Sequence, residues 1–157
     1  MAFRNMSVGK YPRRQWSLVG APSAGKSTFS TQMRGPLLAI DSDHRYSEVA
    51  KKALGEVYEL SDSPADNMDP ETIRDKLKEN MPSSGVRTIV FDSLTSVISP
   101  LVVEAMLDND AGRNKNRVSA FKDKALAMRV IQDAVTGWGV DTLWILHTRM
   151  VRNAEAK

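Results

Sequence analysis

Nine residues constrain the fold of this chain more than any others: Gly20-Ala21-Pro22-Ser23-Ala24-Gly25-Lys26-Ser27-Thr28, directly after the short strand-like run at 15–19. Gly20, Gly25, Lys26 and Ser27 meet the spacing G-x-x-x-x-G-K-[ST]. Glycines let the backbone turn so that successive N–H groups face phosphate oxygens. A helix opening near Lys26 adds its positive end. Such a loop works only between a strand and a helix, so "QWSLV" is expected to be a short buried strand and Lys26 to Arg34 a helix, stopped at Gly35-Pro36. All nine residues are candidate nucleotide contacts. Lys26 is expected to neutralise the β- and γ-phosphates, and the Ser27 hydroxyl to ligate magnesium.

Strand-like runs follow, separated by helical stretches. "LLAID" (37–41) is apolar, a helix is expected over 46–54, and "VYEL" (57–60) reads as a short strand. Asp69-Pro70-Glu71 is a helix start, because Asp caps and Pro is tolerated at the first position. Ile73, Leu77 and Met81 then recur at four-residue steps, giving that helix one apolar face. "RTIVFD" (87–92) has the near-continuous apolar pattern of a strand covered on both sides. Residues 108–117 read as a polar loop, 119–136 as a long helix ending at Gly137, and 141–148 as a last strand. The alternation implies an α/β fold, a parallel sheet flanked by helices on both faces. With 157 residues the chain suits one domain: a basic arm over 1–14 and a core over 15–157.

Ligands of parallel sheets bind outside the carboxyl ends of the strands, so the polar residues there are candidates. Asp92 closes an apolar strand, where a carboxylate can hold the magnesium through water or merely start a turn; behind a phosphate loop the first reading is expected. Ser93 beside it is read as structural. Asp41 and Asp43 stand just past the second strand and could point the same way, with Ser42 opposite. One of them could orient the water that attacks a γ-phosphate, or cap the helix that follows. His147 tips a strand of Leu and Ile, either as a satisfied core residue or in reach of the γ-phosphate.

Together, "LLAIDSDH", "TIVFDSLTSVISP" and "AMRVIQDAVTGWGVDTLWILHTRM" resemble, in that order behind the phosphate loop, the RecA-like ATPase core. The resemblance spans about residues 15–152. It implies a P-loop ATPase that hydrolyses ATP with Mg²⁺, with Lys26, Asp43, Asp92 and His147 as catalytic residues and Ser27 and Asp92 at the metal. Asp43 stands where that family carries glutamate, one methylene longer, and His147 where glutamine is usual; an imidazole can also carry charge. The compact layout is most similar to phage-encoded RecA-like proteins grouped with single-strand annealing recombinases. That family continues past this strand, so the chain is expected to lack C-terminal strands or to be an unusually small core.

In the RecA layout, a DNA-facing loop follows the second carboxylate strand. Arg113, Lys115, Arg117, Lys122 and Lys124 fall there and could follow a phosphate backbone. No aromatic residue lies among Arg113 to Arg117, so base stacking is not indicated, and a solvated loop is the plain alternative. Arg149 and Arg152 could lead into a second such loop or face a neighbouring subunit. The expected partners are single-stranded DNA and further copies of the chain, in a ring or filament with nucleotide at the subunit interfaces. The expected function is an ATP-dependent recombinase or annealing protein. Two alternatives stand beside it: a small P-loop nucleotide or metabolite kinase, and a nucleotide-binding regulatory subunit that does not hydrolyse.

Composition narrows the setting. The net charge is +3, from 22 basic and 19 acidic residues, too mild to signal nucleic acid by itself. Zero cysteines exclude a disulfide scaffold and a cysteine-built zinc site. No run approaches a membrane span, and no apolar leader precedes a cleavage site. A cytoplasmic protein is expected, in the host cell if a phage encodes it.

Overall fold

The computed structural model describes residues 2–3, 13–98 and 117–148, with only the backbone described at 117–121, 123 and 124. Five strands carry the architecture: β1 (Gln15–Gly20), β2 (Leu37–Asp41), β3 (Val57–Glu59), β4 (Thr88–Asp92) and β5 (Asp141–His147). They form one sheet in the order β1-β5-β4-β2-β3, and every pairing is parallel. Between them lie α1 (Lys26–Ser30), α2 (Ser47–Ala50), α3 (Pro70–Asn80), a 3-10 turn at Met81–Ser83, and α4 (Arg117–Thr136). Residues 94–98 are also helical. Among the described residues no helix is long and apolar enough to cross a membrane.

Side-chain alternation along the central strands divides the core into two layers. Leu38, Ile40, Ile89 and Phe91 pack on one face against Ile73 and Leu77 of α3 and Ile131 and Val135 of α4. Ala39, Val90, Leu143 and Ile145 pack on the other, against Tyr46, Val49 and Ala50 around α2 and Met33 after α1. β2 and β4 are thus covered on both sides, as their unbroken apolar runs require. The α3 start is as its sequence implies: the Asp69 side chain accepts from the Thr72 N–H at 3.1 Å, and Ile73, Leu77 and Met81 are buried.

Several expectations are corrected. β1 is not buried: Trp16 is 38% and Val19 63% exposed, because among the described residues this strand is a sheet edge that pairs only with β5. The helix expected over 26–34 ends at Ser30 and passes into turns whose N–H groups reach only three residues back, such as Gln32 to the Phe29 carbonyl. The helix expected over 46–54 is four residues long, with Tyr46 as its cap. Arg117, placed in a loop by its polar surroundings, is the first residue of α4. The other cations proposed to face DNA are Arg113 and Lys115, which lie outside the described residues, Lys122, which is exposed on α4, and Lys124, on the same helix. Arg149, Arg152 and most of the basic arm also lie outside.

Candidate functional site

Parallel pairing places all strand carboxyl ends at one rim, and the register fixes which residues meet there. Gly20 of β1 lies opposite His147 of β5, and Asp41 of β2 opposite Asp92 of β4. The phosphate-type loop therefore starts one strand away from His147, with Asp92 on the next strand over. This is the rim at which parallel sheets take their ligands.

The loop over 21–25 folds through two residues with positive φ, Ser23 (65°) and Gly25 (87°). Gly25 sits where an L side chain would be strained, directly before α1. The Phe29 N–H returns to the Gly25 carbonyl at 2.9 Å. The amides ahead of it belong to the first turn, whose donors have no partner within a helix. The Lys26 side chain is nearly buried and bends back across the loop, its Nζ donating to the carbonyls of Gly20 (2.8 Å) and Ala21 (2.6 Å). An ammonium held by two neutral carbonyls can exchange them for phosphate oxygens, which are stronger acceptors.

The next residue reaches across the sheet: Ser27 Oγ donates to Asp92 Oδ2 at 2.5 Å. Asp92 is almost fully buried. Burial raises its carboxyl above the ordinary aspartate value; the Ser27 hydrogen bond opposes this, the charges of Asp43 and Asp41 add to it, and His147 opposes it again. A hard divalent cation fits this surrounding, since hydroxyl and carboxylate oxygens are magnesium ligands and its charge would offset three neighbouring carboxylates. Ser27 and Asp92 are the residues that could hold it.

The structure separates the two aspartates that the sequence left undecided. Asp41 is the backbone cap: its carboxylate accepts from the Arg45 N–H at 3.2 Å and the Tyr46 N–H at 2.9 Å. Asp43 turns to the rim, where its Oδ2 meets His147 Nε2 at 3.2 Å and its Oδ1 accepts from the Ser96 hydroxyl. Because a carboxylate only accepts, this contact assigns the imidazole hydrogen to Nε2. Ligand atoms of Asp43, Asp92 and His147 all lie within 4.8 Å of one another. The His147 backbone N–H donates to Thr95 Oγ1 at 2.9 Å. Ser42 points the other way, tying β2 to β4: its Oγ donates to the Ser93 carbonyl at 2.7 Å and accepts from the Ser93 N–H at 2.8 Å.

Lys26, Ser27, Asp43, Asp92 and His147 are thus gathered at one rim. Thr95 and Ser96 join them without having been singled out. Hydroxyls in "DSLTS" look like those of any helix start, and only the fold shows what they face. A cavity of about 440 Å³ lies away from this rim, between β2, β3 and α3, lined by Leu38, Tyr58, Leu77 and Met81 among others.

The AAA domain family matches residues 13–157, nearly the whole chain. The chain belongs to the AAA domain family. AAA domains are P-loop NTPases that bind nucleotide, typically with Mg²⁺, and the strand–loop–helix of this AAA domain is where such binding is expected. No curated protein matches the chain.

Proposed function

We propose that this AAA-domain protein hydrolyses Mg²⁺–ATP at the rim formed by β1, β5, β4 and β2, and that turnover controls its assembly on single-stranded DNA during recombination or strand annealing. The observation that carries the hydrolytic reading is the meeting of Asp43, Asp92 and His147 beside Ser27, with Lys26 one residue away. Lys26 exchanges its loop carbonyls for β- and γ-phosphate oxygens, and the loop amides cradle the rest. Magnesium, held by Ser27 and Asp92, would neutralise phosphate charge as the bond to the leaving ADP breaks. Asp43 orients the attacking water and accepts its proton as the new oxygen–phosphorus bond forms. His147, hydrogen-bonded to Asp43, senses whether the γ-phosphate is present.

The DNA half rests on the sequence: the cations over 113–124 and the resemblance to RecA-like annealing proteins. Phosphate release by the purified chain, measured with and without single-stranded DNA across a salt series, tests both halves. Turnover that depends on Lys26 and rises with DNA at low salt is the expected result. ATP turnover and assembly both indifferent to DNA at every salt concentration would overturn the DNA role. A phosphorylated small molecule in place of free phosphate would select a kinase.

A further inference from the structure

Asp43 lies just past β2; its backbone N–H still reaches the Asp92 carbonyl at 3.4 Å, but its side chain is partly open to solvent. A carboxylate that must orient water needs its own support, because small misplacement of a catalytic group is costly. That support comes from the residues just past β4. Ser96 Oγ donates to Asp43 Oδ1, and Ser93 Oγ lies 3.1 Å from Ser96 Oγ. The direction of this chain is settled by elimination: Asp43 can only accept, so Ser96 spends its single hydrogen there, and Ser93 must donate to Ser96. Ser93 is fully buried, and its backbone is clamped on both sides by Ser42. The relay therefore starts from a buried residue, just past β4, whose backbone N–H and carbonyl are both held by Ser42. Thr95, on the same helical turn, accepts the backbone N–H of His147, whose ring faces the other oxygen of Asp43.

We propose that Ser96 is a positioning residue for Asp43, anchoring one carboxylate oxygen through Ser93 so that the other is held against His147. This rests on the reading of Asp43 as the group that receives the proton of the attacking water. Thr95 sets the opposite side of the same contact by holding the end of β5. The two consecutive hydroxyls make the turn at 94–98 a template on which the acid from β2 and the imidazole from β5 are aligned.

Steady-state hydrolysis and nucleotide affinity of Ser96→Ala, Ser96→Thr, Asp43→Asn and the Ser96→Ala/Asp43→Asn double variant test this. Ser96→Ala should lower kcat about tenfold with nucleotide affinity unchanged, Ser96→Thr should restore most of it, and the double variant should be no slower than Asp43→Asn. Ser96→Ala turning over at the parental rate while Asp43→Asn is slowed, or losses that multiply in the double variant, would overturn the proposal. Should Ser96→Ala fold poorly, Ser96→Cys carries the same comparison with a weaker donor. If Asp43→Asn itself keeps the parental rate, the catalytic reading of Asp43 falls, and the positioning contact is judged by NMR alone. The chain has two histidines, so the His147 ring nitrogens are assigned by difference. At fixed pH a changed Nε2 shift in Ser96→Ala supports the contact, and an unchanged shift rejects it.

Discussion

At the scale of single residues, the rim combines groups that stabilise the fold poorly and suit chemistry well. Lys26→Ala removes both a charge and the phosphate contact, so isothermal titration with nucleotide should show binding reduced beyond detection. Asp43→Asn should leave that titration nearly unchanged while slowing phosphate release on the order of a hundredfold. Asp92 makes a prediction about pH. Its folded-state pKa is raised, chiefly by burial, so the folded protein holds this proton more tightly than the unfolded chain does. Stability then falls as pH rises from the ordinary aspartate value through the raised one, and the loss is complete above it. Asp92→Asn should abolish that slope and unfold at higher urea concentration than the parent at neutral pH without nucleotide, while losing magnesium-dependent binding. The spacing around Lys26 and Ser27 made their part of the rim legible in the sequence, because the motif encodes its own geometry. Asp41 and Asp43 were not separable there, since period-two alternation ends where β2 ends, and only the loop's path shows which one caps Tyr46.

At the scale of elements, α3 shows why patterned segments could be read from sequence and short ones could not. Its start, proline and four-residue apolar step all agree, and Ile73 and Leu77 are essentially inaccessible to solvent. Leu77→Ala should cost about 2–5 kcal/mol in chemical denaturation, against about 1 kcal/mol for Asp69→Ala, which removes the exposed bonds that the Thr72 N–H and hydroxyl donate to the capping carboxylate. α1 and α2, of five and four residues, carry too few turns for periodicity to set their ends. They are shaped by tertiary contacts such as the 2.6 Å bond between the Ser30 and Tyr46 hydroxyls, which links the two across the second core layer. β1 misled for a different reason. Its Trp, Leu and Val suggest a buried strand despite Gln15 and Ser17, whereas its place in the sheet is set by pairing partners that no local pattern records.

For the whole molecule, the parallel order of strands was legible because apolar runs alternate with helical stretches, while the sheet order β1-β5-β4-β2-β3 was not. It depends on crossovers between segments far apart in the chain. If DNA binds through the cations over 113–124, its affinity should fall steeply with salt by counterion release, and fluorescence anisotropy of a labelled oligonucleotide would measure the slope. A flat salt dependence would remove that surface from consideration. The pairing of Asp41 with Asp92 and of Gly20 with His147 carries one more consequence. The strands act as rulers: with the start of β4 held in place, one extra residue between Thr88 and Phe91 would deliver a phenyl ring where the buried carboxylate now sits. Exposed loop positions at this rim, such as Pro64-Ala65, can tolerate changes in length that the rods beneath them cannot, so an indel mild there should be ruinous four residues short of the tip.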